Sequence, residues 1–162
     1  MDQRPQPEST VDGRDETELE RWDRNWADLM QEVRVAQTGV QILFAFLLTL
    51  PFAARFEVTS TVDRTIYVVT LLASAAASAL LIAPVSYHRQ VFRRHRKAEL
   101  VTTASRLAQA GLACLLVAIG AAVFVVMDVV VGTVGATVAA LAVGGMCGTL
   151  WYLLPLRHVL KR

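Results

Sequence analysis

LAQAGLACLLVAIGAAVFVVMDVVVGTVGATVAALAVGGMCGTLWYLLPL, residues 107–156, runs for 50 residues with a single formal charge, Asp128. The hydrocarbon core of a bilayer is about 30 Å thick and takes roughly 20 apolar helical residues to cross. The run is too long for one crossing and suits two with a tight turn between them. Asp128 lies near its middle and Gly132 and Gly135 follow, which sets the expected turn around 127–133. The flanking helices are then expected at about Leu107–Met127 and Val130–Leu154. On this reading Asp128 is hydrated at the external turn and caps the helix that follows. Moved into the membrane, it would instead be a candidate proton or cation carrier.

Two further runs without Asp, Glu, Lys or Arg precede it, Val35–Ala54 (20 residues) and Thr65–Tyr87 (23 residues). Over the whole chain of 162 residues, 54% are apolar and 19% charged, and mean hydropathy is +0.44. A soluble domain carries nearer a quarter charged residues. These balances exclude a soluble enzyme, a disordered tail protein and a nucleic-acid-binding domain. The fold class they predict is all-α: an integral membrane four-helix bundle, with spans at about 35–54, 65–87, 107–127 and 130–154. In the second span Ala73–Ala79 is almost wholly small residues. Gly144 and Gly148 make a small-xxx-small step in the fourth, with Gly111 and Gly120 in the third. Lipid is as well served by leucine, so small residues imply close helix contact.

The remaining segments are charged. Met1–Glu16 has nothing to bury and is expected to be a disordered acidic tail. Thr17-Glu18-Leu19-Glu20 fits a capping box. Leu19, Trp22, Trp26, Leu29 and Val33 then follow at 3-4-3-4 spacing, an amphipathic helix over 17–34. Trp22 and Trp26 on its apolar stripe are expected as interface anchors at headgroup level, or else packed on another part of the protein. No apolar core suits a cleavable signal peptide in the first 30 residues. Residues 1–34 hold ten acids against five arginines, whereas His88–Arg106 carries Arg89, Arg93, Arg94, Arg96, Lys97 and Arg106 against Glu99 alone. That segment lacks Gly and Pro and reads as a basic cytoplasmic helical hairpin between spans two and three. Residues 157–162 form a basic tail. With fourteen basic residues on one side and Arg55 and Arg64 on the other, both termini are expected in the cytoplasm.

Arg34, Gln37, Thr38 and Gln41, at i, i+3, i+4 and i+7, form a polar stripe on the first span. Polar groups at that depth need partners, which lipid does not supply. The stripe is either a hydrogen-bonded seam toward Ser86–Arg89, Ser105 or Gln109, or the lining of a polar cavity or ion pathway. Glu32, at the membrane surface, is expected to pair with the basic segment. His88, His95 and His158 lack metal-pair spacing, and Cys114 and Cys147 read as small hydrophobes. Neither a catalytic signature, a phosphate loop nor a metal motif is present, so no enzyme, metal or cofactor is expected.

Arg34-Val-Ala-Gln-Thr-Gly-Val-Gln-Ile-Leu-Phe-Ala-Phe-Leu-Leu-Thr-Leu-Pro-Phe52 resembles the signature of a family of small actinobacterial membrane proteins of unknown function. Ala83-Pro-Val-Ser-Tyr-His-Arg89 with Phe92, and Trp151-Tyr-Leu-Leu-Pro-Leu156, are also similar to it, so the resemblance covers about Leu29 to Leu156. It implies a four-helix protein of the bacterial plasma membrane, and some members bear a sodium/proton antiporter label. The function expected is non-enzymatic: a structural or accessory membrane protein acting through helix packing and its charged cytoplasmic face. The partners expected are the lipid bilayer, further copies in a homo-oligomer and another membrane protein, with no nucleic acid. The rival reading is an oligomeric cation/proton antiporter, or a small pore using the stripe of span one.

Overall fold

The computed structural model describes residues 17–52, 61–91 and 97–160. The acidic tail, most of the 55–64 connection, the turn of the basic segment at 92–96 and the last two residues lie outside them. Helix α1 spans Glu18–Thr49, α2 Thr61–Val91 and α3 Lys97–Gly148; a short α4, Leu154–Leu160, ends the described chain. Among the described residues three helices are long and apolar enough to cross a membrane, and the chain is a multi-pass, all-α membrane protein.

Thr17 starts α1 as a capping box. The Glu20 N–H donates to Thr17 Oγ1 at 3.3 Å, and the Thr17 N–H donates to Glu20 Oε2 at 2.9 Å. Once nucleated, the helix meets no Gly-Pro or polar break at the membrane surface. It therefore continues for 32 residues, about 48 Å at 1.5 Å per residue, to Thr49. The separate amphipathic N-terminal helix is thus corrected: it is the first half of α1. The described residues of the basic segment are helical, as the ends of α2 and α3, and its middle, 92–96, lies outside the described residues.

The four-helix bundle is itself corrected. The structure has three long helices, and the third is a 52-residue element bent at one residue, Gly132, whose φ of 79° and ψ of 170° are open essentially to glycine alone. Asp128–Val131 contains no breaker, so helix continues up to the bend and resumes after it. The Tyr152 hydroxyl donates to the Gln109 carbonyl at 3.1 Å. In a straight helix those residues, 43 apart, would be about 65 Å apart. The limb after Gly132 therefore folds back on the limb before it. A five-residue π turn, Thr149–Leu153, then leads into α4 just ahead of Pro155.

The buried positions repeat every seven residues. On α1 they are Val33, Val40 and Leu47. On α2 they are Thr70, Ser74, Ala77, Leu81 and Pro84. On α3 they are Ala104, Ala108, Gly111, Leu115, Ala118, Ala122 and Val125, with Leu100 ahead of this run and Ala136 beyond the bend. This 4-3 alternation is the seam of left-handed coiled helices. Most of the α3 seam is Ala or Gly because lipid solvates leucine as well as protein does. Attraction between helices must come from close approach, and small side chains permit it. A Cβ at Gly111 would stand 2.9 Å from Leu81 Cγ, which marks the tightest crossing of α2 and α3.

Candidate functional site

The polar stripe of α1 divides. Successive residues are about 100° apart around a helix, so Arg34, Thr38 and Gln41 sit well off the Val33–Val40 direction and only Gln37 reaches the core edge. Gln37 is half-buried and its Nε2 donates to the Leu81 carbonyl of α2 at 2.9 Å. Arg34 is exposed and donates to Gln31 Oε1 at 3.2 Å, while the exposed Thr38 hydroxyl donates to its own helix at the Arg34 carbonyl. Gln41 is exposed with no hydrogen-bond partner among the described residues. The stripe thus meets none of Ser86, Ser105 and Gln109, the expected partners whose side chains are described.

A proline stands near each cross-helix bond of α1. Pro84, buried inside α2, lacks the N–H that would satisfy Leu80, and its ring opens the preceding turn. Gln37 bonds the neighbouring carbonyl of Leu81. At the other end of α1, Pro51 withholds the donor that Leu47 would meet four residues on. There the Tyr67 hydroxyl of α2 donates to the Leu47 carbonyl at 2.8 Å. Sequence reading missed both bonds; Pro51, four residues after Leu47, flags that carbonyl, whereas the Leu81 carbonyl is not the one that Pro84 leaves without a donor.

Asp128 is half-buried within α3, one turn before the bend, and its Oδ1 is enclosed without a hydrogen-bond partner. It stands in the limb before the bend and so does not open the limb after it. Ser78 Oγ is enclosed without a partner as well. The packing of Gly111 on Leu80 and Leu81 sets Ser78 abreast of about Cys114. That is about 21 Å along α3 from Asp128, so the two enclosed oxygens do not converge on one site.

Glu32 is exposed and makes no ion pair with a described residue. Trp22 and Trp26 are half-buried, and the Arg21 guanidinium lies 5.8 Å from the centroid of the Trp22 ring. Gly148 is in ordinary contact with Leu116 across the fold-back, and Gly144 has nothing near its Cβ position. Cys114 and Cys147 are free thiols. Among the described residues no three His, Cys, Asp or Glu gather as metal ligands. His95 and the side chains of His88 and His158 lie outside what is described.

Next to Pro84 a shallow groove of about 410 Å³ opens between α2 and α3, lined by Ala79, Ile82, Ala83, Ser86, Tyr87 and Leu107. Its lining is apolar toward the membrane interior and carries two hydroxyls at the end of α2 nearer Val91.

A family model matches residues 15–155, from just before the capping box to Pro155. The chain belongs to DUF6328, a family of unknown function. No curated protein and no solved structure matches it. The family match spans all three long helices, so α1 with its split stripe, the Pro84 turn and the folded α3 are the DUF6328 part of this chain.

Proposed function

We propose that this DUF6328 protein is a non-enzymatic membrane scaffold that assembles with further copies of itself through the outward edge of α1. The observation that carries this reading is Gln41. It lies six residues, about 9 Å, inside the start of the apolar run at Val35, yet faces away from the bundle. An amide exposed to hydrocarbon is costly. It offers both a donor and an acceptor, so two copies of the same residue satisfy each other across a twofold axis. Thr38 and Ala45, also exposed, keep that flank narrow enough for close approach. The Lys and Arg bias puts both termini and the basic segment on the cytoplasmic face of a bacterial plasma membrane. The acidic first residues and the basic 88–106 segment supply opposite charges for a membrane-protein partner.

The test is the oligomeric state of the full chain in mild detergent and in liposomes, measured by light scattering and cross-linking. The protein is expected to be oligomeric, and Gln41→Leu to shift it to monomer with helical content unchanged. A monomeric native protein, or an assembly indifferent to Gln41→Leu, would sink the scaffold reading.

The enclosed Oδ1 of Asp128 favours a second reading, the oligomeric cation/proton exchanger that the resemblance to antiporter-labelled proteins suggests. The same liposomes decide it under imposed sodium and potassium gradients. Proton flux that disappears in Asp128→Asn would establish an exchanger. No flux is expected of a scaffold.

A further inference from the structure

We propose that the groove beside Pro84 is a binding site for an anionic phospholipid, one acyl chain lying along Ala79, Ile82, Ala83 and Leu107 and the phosphate meeting Arg106. Its volume of about 410 Å³ falls in the ~300–1,000 Å³ range of small-molecule sites. Its polarity runs in one direction. Alanine, isoleucine and leucine line the part toward mid-membrane, and the hydroxyls of Ser86 and Tyr87 stand at the end toward the membrane surface. A chain with a polar head has the same asymmetry.

The charge comes from α3. Gly111 packs on Leu80 and Leu81, and the two helices are antiparallel, so five residues in opposite directions bring Ser86 and Arg106 to the same level. Arg106 immediately precedes Leu107, which lines the groove; it lies about 100° further round α3, with Thr103 and Ala110 between the two on the helix surface. It is exposed and makes no ion pair with any described residue. The sequence 88–106 holds six basic residues against one acid, so the segment that ends at Arg106 carries a net positive charge. Basic pockets between helices at a membrane surface recognise anionic headgroups, and each Lys or Arg there raises affinity about fivefold. A zwitterionic lipid offers the same chain and no net charge to hold.

Native mass spectrometry of the full chain in detergent, offered equal amounts of phosphatidylglycerol and phosphatidylcholine, tests the site. Phosphatidylglycerol is expected to be retained preferentially. Arg106→Gln should cut that retention about fivefold, and Arg106→Lys should restore it. Ala83→Phe, which fills the groove, should reduce retention of both lipids. Both positions are accessible from outside, so helical circular dichroism and elution volume should match the native protein. Equal retention of the two lipids, or retention unmoved by Arg106→Gln, would overturn the headgroup assignment. Loss in Arg106→Gln without loss in Ala83→Phe would overturn the groove, leaving only a surface charge effect.

Discussion

Pro51 removes the donor that would satisfy Leu47, and the hydroxyl of Tyr67, on another helix, takes its place at 2.8 Å. Gln37 makes a second bond between helices, to the Leu81 carbonyl, at 2.9 Å. In membranes such bonds average about 0.6 kcal/mol, with an upper range near 1.7, because an unfolded chain in lipid also finds partners. Tyr67→Phe and Gln37→Leu should each destabilise the protein by about that average. Ten residues of α1 separate the two bonds, about 15 Å, so the double variant should show nearly the sum. Thermal unfolding in detergent measures this, and unchanged midpoints in both single variants would remove these bonds from the account of stability. Residue spacing disclosed the stripe of Arg34, Gln37, Thr38 and Gln41. It could not say which member turns inward, because that depends on where the neighbouring helices stand around α1.

At the level of the element, one glycine decides the shape of α3. Gly132 holds φ 79° and ψ 170°, a region that costs other residues about 1–3 kcal/mol. Gly132→Ala should therefore lower stability by that amount. Gly144→Ala is the matched control. Nothing lies within 4 Å of the added Cβ there, and alanine is favoured over glycine in helix by about 1 kcal/mol. Denaturant titration followed by tryptophan fluorescence compares the two. Equal effects would show that the bend tolerates any residue. Charge spacing and the two glycines were enough to place a reversal near 127–133. They also suggested separate helices around a hydrated Asp128, whereas the valine-rich segment stays helical to the bend and Asp128 remains inside it.

For the whole molecule, the fold-back of α3 and its seam with α2 set every other position. A Cβ at Gly148 would stand 3.8 Å from Leu116 Cδ2 across the fold-back. With Cys114 and Cys147 replaced by Ala, the double variant Leu116→Cys and Gly148→Cys should cross-link within one chain on mild oxidation, read as a mobility shift reversed by reductant. Absence of the cross-link, or one formed only between chains, would contradict the fold-back. Sequence reading did not pick out the α3 seam, of which Gly111 alone was named above. Ala104, Ala108, Gly111, Leu115, Ala118, Ala122 and Val125 keep strict 4-3 spacing, but inside a run so uniformly apolar no hydrophobic contrast draws attention to it. Residue size is the usable signal.

The sequence by itself determined the solvent. Long runs without charge can satisfy their backbone polar groups in a bilayer only as helices, and that follows from composition and length alone. It also determined where α1 begins, because a capping box is a local contact between residues three apart. The tertiary structure decided the rest: that α1 runs unbroken through the membrane surface, that α3 is one element folded at Gly132, that Gln37 points inward and Gln41 outward, and that a groove lies beside Leu107. The last two depend on the rotation of one helix about its axis relative to another. In lipid no contrast between water and oil fixes that rotation, so it is set by the fit of small side chains and by side-chain hydrogen bonds to carbonyls of the neighbouring helix.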